Sequence, residues 1–77
     1  MHISISDFII HVDETLTREQ LDRLEASIRE HSCVVSAGAH DRTPHLMLVA
    51  YDPECVDTKT ILANVTGQGF RATSIGL

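Results

Sequence analysis

The apolar residues of this 77-residue chain change their spacing near Thr17, and that change constrains the fold more than any other feature. Phe8, Ile10 and Val12 recur at every second position, with Ile9 and His11 between them, which is the period of a strand. Leu21, Leu24 and Ile28 recur at the spacing of a helix that buries one stripe. The stretch between, "HVDETLTREQL", must therefore end a strand and begin a helix. Thr17 is a good N-cap and Gln20 stands three residues on, so "TREQ" reads as a capping box. Leu16 before the cap and Leu21 inside the helix can form a hydrophobic staple. Glu19 near the start favours the helix dipole, and Arg29 and His31 near the end do the same. The helix is predicted over about residues 17–31. Ile3 and Ile5 alternate out of phase with Phe8, which predicts an early bulge or a late start of the strand.

The remaining elements follow from turn chemistry. "SCVVSAGAH" reads as a second strand and "HLMLVAY" as a third, separated by the turn residues "DRTP". Pro53 ends the third strand, because proline cannot continue a ladder. Asp57 can cap a second helix through Thr58, Ile61, Leu62 and Val65. "TGQG" stops it, with Gly67 or Gly69 suited to a left-handed cap. "FRATSI" is a fourth strand. Strand, helix, strand, strand, helix, strand, joined by right-handed crossovers, is an α+β ferredoxin-like βαββαβ sandwich: a four-stranded antiparallel sheet with both helices on one face. Residues 1–77 make one domain, since a chain of this size supports a single small core. With only Phe8, Tyr51 and Phe70 aromatic, that core is aliphatic.

The second half, "VAYDPECVDTKTILANVTGQGF", carries a joint spacing of Val49, Tyr51, Asp52, Pro53, Ile61, Val65, Gly69 and Phe70. In the first half, Ile10, Val12, Leu24 and Ile28 fall at matching apolar positions. In these residues the chain resembles the heavy-metal-associated (HMA) domain family, which includes copper chaperones, mercury-binding proteins and modules of metal-pumping ATPases. The resemblance covers nearly the whole chain and implies the same fold. It also implies a Cys-x-x-Cys motif at the start of the first helix, where two thiolates one turn apart make a soft-metal site. Those positions are Thr17 and Gln20 here, and the usual Gly-Met before them is Glu14-Thr15. The ligand pair is replaced by a capping pair, so tight copper(I) binding is not expected at this loop.

Five histidines and two cysteines remain as candidate ligands. The topology sends His11, His40 and His45 to one end of the domain, near Asp13 and Glu14, a set suited to zinc, nickel or copper(II). It sends His2, His31, Cys33 and Cys55 to the opposite end, a zinc-like set. Simpler readings compete with both: His31 as a helix C-terminal residue, Cys33 and Cys55 as small buried residues with free thiols, His40 and His45 as solvated turn residues, and Asp13 and Glu14 as solvated loop carboxylates.

A formal net charge of -5 argues against a nucleic-acid backbone as partner. There is no membrane-length apolar run and no signal peptide in "MHISISDF", so a cytoplasmic location is expected. No nucleophile–base pair or phosphate loop is present, so the chain is not expected to be an enzyme. In "HLMLVAY" both alternating sets are apolar. If Met47, Val49 and Tyr51 face the helices, Leu46 and Leu48 join Ile9 on the open sheet face as an apolar patch. That patch predicts a homodimer or a partner protein. The leading expectation is thus an interaction module of HMA type without its thiolate site. The first alternative is a histidine-based carrier or sensor of zinc, nickel or copper(II). The second is a small-ligand regulatory domain of ACT type, which shares the topology but whose usual glycine-containing loop after strand one is absent here.

Overall fold

The two periods in the sequence become two layers. In a computed structural model, which describes residues 4–75, the elements are β1 Ser6–Val12, α1 Arg18–Arg29, β2 Val34–Ala39, β3 Leu46–Tyr51, α2 Thr58–Thr66 and β4 Ala72–Ile75. The strands form one sheet in the order β2-β3-β1-β4 with antiparallel neighbours. This is the ferredoxin-like βαββαβ arrangement that the element order predicts. β1 starts late, at Ser6, which leaves Ile5 outside the strand and exposed. α1 ends at Arg29, two residues short of the predicted end, and His31 follows in the connection.

One face of the sheet is buried. Phe8, Ile10 and Val12 of β1, Ala37 of β2, and Met47, Val49 and Tyr51 of β3 pack with Leu21, Leu24 and Ile28 of α1 and Ile61 and Val65 of α2 in a single core. Each large aliphatic side chain buried here contributes about 1.5–3 kcal/mol. Helices of 12 and 9 residues are marginal on their own, so this packing rather than intrinsic propensity holds them. Phe8 and Tyr51 meet edge to face, with ring centroids 5.5 Å apart. Asp57 caps α2 by accepting the Thr60 N–H at 2.8 Å. Of the two glycines suited to a left-handed turn after α2, Gly69 adopts it, with φ +96°, while Gly67 stays helical.

One buried residue is charged. The Glu25 carboxylate, on the inner side of α1, accepts the Ala39 N–H at 2.7 Å and both hydrogen bonds of an Arg18 terminal nitrogen at 3.0 Å. Arg18 also pairs with Asp22 and Asp41. Its hydrogen bonds to Glu25 first, and then to Asp22, push the guanidinium above its ordinary range. The cluster ties the start of α1 to the far end of β2.

Candidate functional site

The loop between β1 and α1 is built as a helix start. Thr17 Oγ1 accepts the Gln20 N–H at 3.1 Å, and Gln20 Oε1 accepts the Thr17 N–H at 2.8 Å. The capping box therefore forms as the sequence predicts, with both side chains engaged by backbone groups. Glu14 departs from the expectation of a solvated carboxylate. It reaches across to the residue before β4 and accepts the Arg71 N–H on both oxygens, at 2.9 and 3.0 Å. Beside it, Asp13 N–H donates to Arg71 O at 2.8 Å. The loop is latched to the chain just before β4 as well as capped onto α1.

Of the three histidines predicted at this end, the structure brings two together. His11 lies on the open face of β1, directly opposite Leu46 of β3. His45 immediately precedes β3, and its ring stacks on that of His11 with centroids 5.9 Å apart and planes 20° from parallel. The Val12 N–H donates to His45 O at 2.8 Å, and the Val12 carbonyl oxygen accepts from His45 Nδ1 at 2.7 Å. The imidazole thus makes the return bond of a sheet rung. A carbonyl oxygen only accepts, so His45 Nδ1 carries the proton. His11 Nδ1 lies 3.2 Å from Asp13 Oδ1, a charge contact that favours a proton on the same ring nitrogen. In the neutral form each ring has its Nε2 lone pair free. His40 is exposed at the end of β2 and does not join them. Among the described residues, no group of three His, Cys, Asp or Glu side chains is placed to hold a metal ion.

At the opposite end, His31 Nδ1 accepts the Cys33 N–H at 3.1 Å. His2 lies outside the described residues. Cys33 and Cys55 are joined in a disulfide with Cα atoms 5.7 Å apart, within the range such a bridge needs. This corrects the expectation of free thiols. Cys33 is buried, as the simpler reading holds, but Cys55 is exposed on the turn after β3.

The open sheet face carries an aliphatic row. Leu48 of β3 stands opposite Ile9 of β1, and Ile9 stands opposite Ile75 of β4. Leu48 is 50% and Ile75 41% exposed, while Ile9 is half-buried between them. Leu46, one step along, is also half-buried. Ile9, Leu46 and Leu48 share this face, and Ile75 continues the row. Ile75 was missed because the phase of a strand of four residues is hard to read.

No family model matches the chain, and no curated protein does. Solved structures do. A copper binding domain from HMA7, a P-type ATPase, is 18% identical with a TM-score of 0.80, over 91% of this chain and 93% of that one. The CsoZ metallochaperone is 17% identical with a TM-score of 0.77, over 91% and 99%. Oxidized MerP from Ralstonia metallidurans CH34 is 10% identical with a TM-score of 0.80, over 92% and 97%. At these identities the likeness establishes the fold.

Proposed function

We propose that this chain is an HMA-type domain that has given up the thiolate site of its first loop and works, without catalysis, as an interaction module whose open sheet face pairs with a second copy of itself. The observation that carries this reading is the row Leu48–Ile9–Ile75, in register across three strands on the side away from both helices. A solvated face of an antiparallel sheet ordinarily alternates with polar residues, and a contiguous apolar row marks a binding surface. The row is uncharged. Asp7, the carboxylate on this side of β1, stands opposite Ala50, one step away from it. Two identical faces therefore meet without like charges at the centre. The capping box supports the loss of copper(I) chemistry, since Thr17 and Gln20 offer no thiolate and are already bonded to backbone.

Sedimentation equilibrium in metal-free buffer tests the reading. The wild type is expected to dimerise at micromolar concentration, and Leu48→Glu to be folded and monomeric. A wild type that stays monomeric at high micromolar concentration, or a Leu48→Glu variant that dimerises equally well, overturns it.

A second reading is favoured by one specific observation, the His11–His45 pair. His45 Nδ1 is hydrogen bonded to the Val12 carbonyl and His11 Nδ1 lies 3.2 Å from the Asp13 carboxylate, the kind of outer partner that histidine ligands of metal sites commonly have. On this reading the domain carries or senses a divalent metal through histidine nitrogens.

A further inference from the structure

We propose that His11 and His45 form half of a zinc-class metal site, and that the other half is the same pair from a second copy docked on the open sheet face. The inference rests on the sheet-face pairing proposed above and adds to it a ligand, a stoichiometry and a regulator.

The pair has three properties of a metal half-site. First, its tautomers are biased one way: the Val12 carbonyl accepts from His45 Nδ1, and the Asp13 carboxylate 3.2 Å from His11 Nδ1 favours a proton on that nitrogen, which leaves both Nε2 atoms as donors. Such outer-shell partners also fix ring orientation and raise ligand basicity. Second, the rings stack, 20° from parallel with 5.9 Å between centroids, on a half-exposed part of the open face. Third, the site is unfinished. A closed zinc site takes four ligands in tetrahedral array, and among the described residues no group of three His, Cys, Asp or Glu side chains is placed to hold an ion, Asp13 lying on the Nδ1 side of His11.

A second copy supplies what is missing. His11 follows Ile9 by two residues on the same face of β1, so the imidazoles and the aliphatic row belong to one surface. A two-fold axis running along β1, between two stacked sheets, sets like against like: aliphatic row on aliphatic row, histidine pair on histidine pair. Sheets stacked this way lie about 10 Å apart, so the midplane is within reach of an imidazole from either side. Four Nε2 donors then surround one metal ion. Nitrogen donors of this kind suit zinc, nickel and copper(II) rather than copper(I).

Zinc chloride added to metal-free protein, read in parallel by native mass spectrometry and sedimentation velocity, tests this. The wild type is expected to take up one zinc per two chains. Its dimer dissociation constant should fall about tenfold once free zinc reaches ten times its own dissociation constant, as linkage requires. The double variant His11→Asn, His45→Asn keeps an amide donor for Asp13 and Val12 but has no second ring nitrogen. It should fold and ignore zinc, its association being the same with and without the metal. One zinc per chain with unchanged association, no retained zinc, or undiminished uptake in the double variant overturns the proposal. Ring-nitrogen NMR adds an independent readout: zinc should move the Nε2 resonances of both histidines, and a shift confined to other residues overturns the assignment. The underlying sheet-face reading fails separately, through the metal-free behaviour of Leu48→Glu.

Discussion

Replacing Thr17 by alanine removes one acceptor and leaves its neighbour intact. The Gln20 N–H loses its 3.1 Å bond to Oγ1, while the Thr17 N–H keeps its 2.8 Å bond to Gln20 Oε1. Both residues are exposed, so the freed N–H turns to water instead of being stranded. The cost is therefore that of a lost cap, about 1 kcal/mol, and not the larger penalty of an unsatisfied buried donor. In a domain of this size 1 kcal/mol lowers Tm by about 4–8 °C. Thr17→Asp keeps the acceptor and places a negative charge at the helix start, so it should stay within about 0.5 kcal/mol of wild type. Gln20→Ala should cost about 0.5 kcal/mol, because its bond is exposed and uncharged. The two bonds form one reciprocal box, so the double variant should depart from the sum by about 0.5 kcal/mol or more. Urea melts with unchanged m-values provide the assay. If Thr17→Ala leaves the midpoint where it was, the box does not hold α1, and the account of this loop as a cap is wrong.

Other outcomes follow from the same geometry. The change Thr17→Cys, Gln20→Cys should create a soft-metal site on a folded domain, since positions one turn apart at a helix start face the same way; a folded variant with no copper(I) affinity in a chelator competition would show that the latch of Glu14 on Arg71 has altered the loop's shape. Glu25→Ala should destabilise the domain by about 2 kcal/mol, because the Ala39 N–H loses a charged acceptor; a denaturant midpoint equal to wild type refutes this. The side-chain and then the backbone hydrogen bond of Thr60 hold the Asp57 carboxyl below its usual value of 3.8. A depressed native pKa gives stability that is present above the unfolded value and lost as pH falls through the native one. Asp57→Asn should therefore flatten the acid limb of stability below about pH 4 and leave neutral-pH cooperativity intact, as thermal melts at stepped pH would show.

What could be read from the sequence was local. The capping box lies within four consecutive residues, and its partners are fixed by helix geometry. β1 and β3 announce their buried faces by alternation, and the element order then leaves one sheet topology. The resemblance to HMA domains rested on the same apolar positions that fill the core, which is why fold was legible and chemistry less so. Contacts between distant residues were hidden. Glu14 meets an amide 57 positions away, and the register of β2 shifts between Val34 and Ser36, an irregularity defined only by its pairing with β3. Glu25 did leave a signal: it sits four residues after Leu21 and three before Ile28, so a carboxylate at a core-facing position had to find partners. The three-histidine cluster failed at His40 because hairpin ends diverge in ways that topology does not specify. Composition alone implies free cysteines, whereas the pairing of β2 with β3 brings them to bonding distance: Asp52 N–H donates to Cys33 O at 2.9 Å.

That bridge makes a closed ring of the β2–β3 hairpin. β2 is an edge strand, and a slip of one residue against β3 would turn Ala37 out of the core and bring Gly38 in. With Cys33 fastened to Cys55 at one end and the Ala39 N–H held by Glu25 at the other, the strand is pinned at both ends to its alignment. A hairpin that opens in a thermal fluctuation must close again in the same frame. Side chains of α1 also occupy backbone groups of this edge strand, Arg29 at Ala37 O and Arg18 and Glu25 at Ala39, which leaves fewer of them to template a foreign strand.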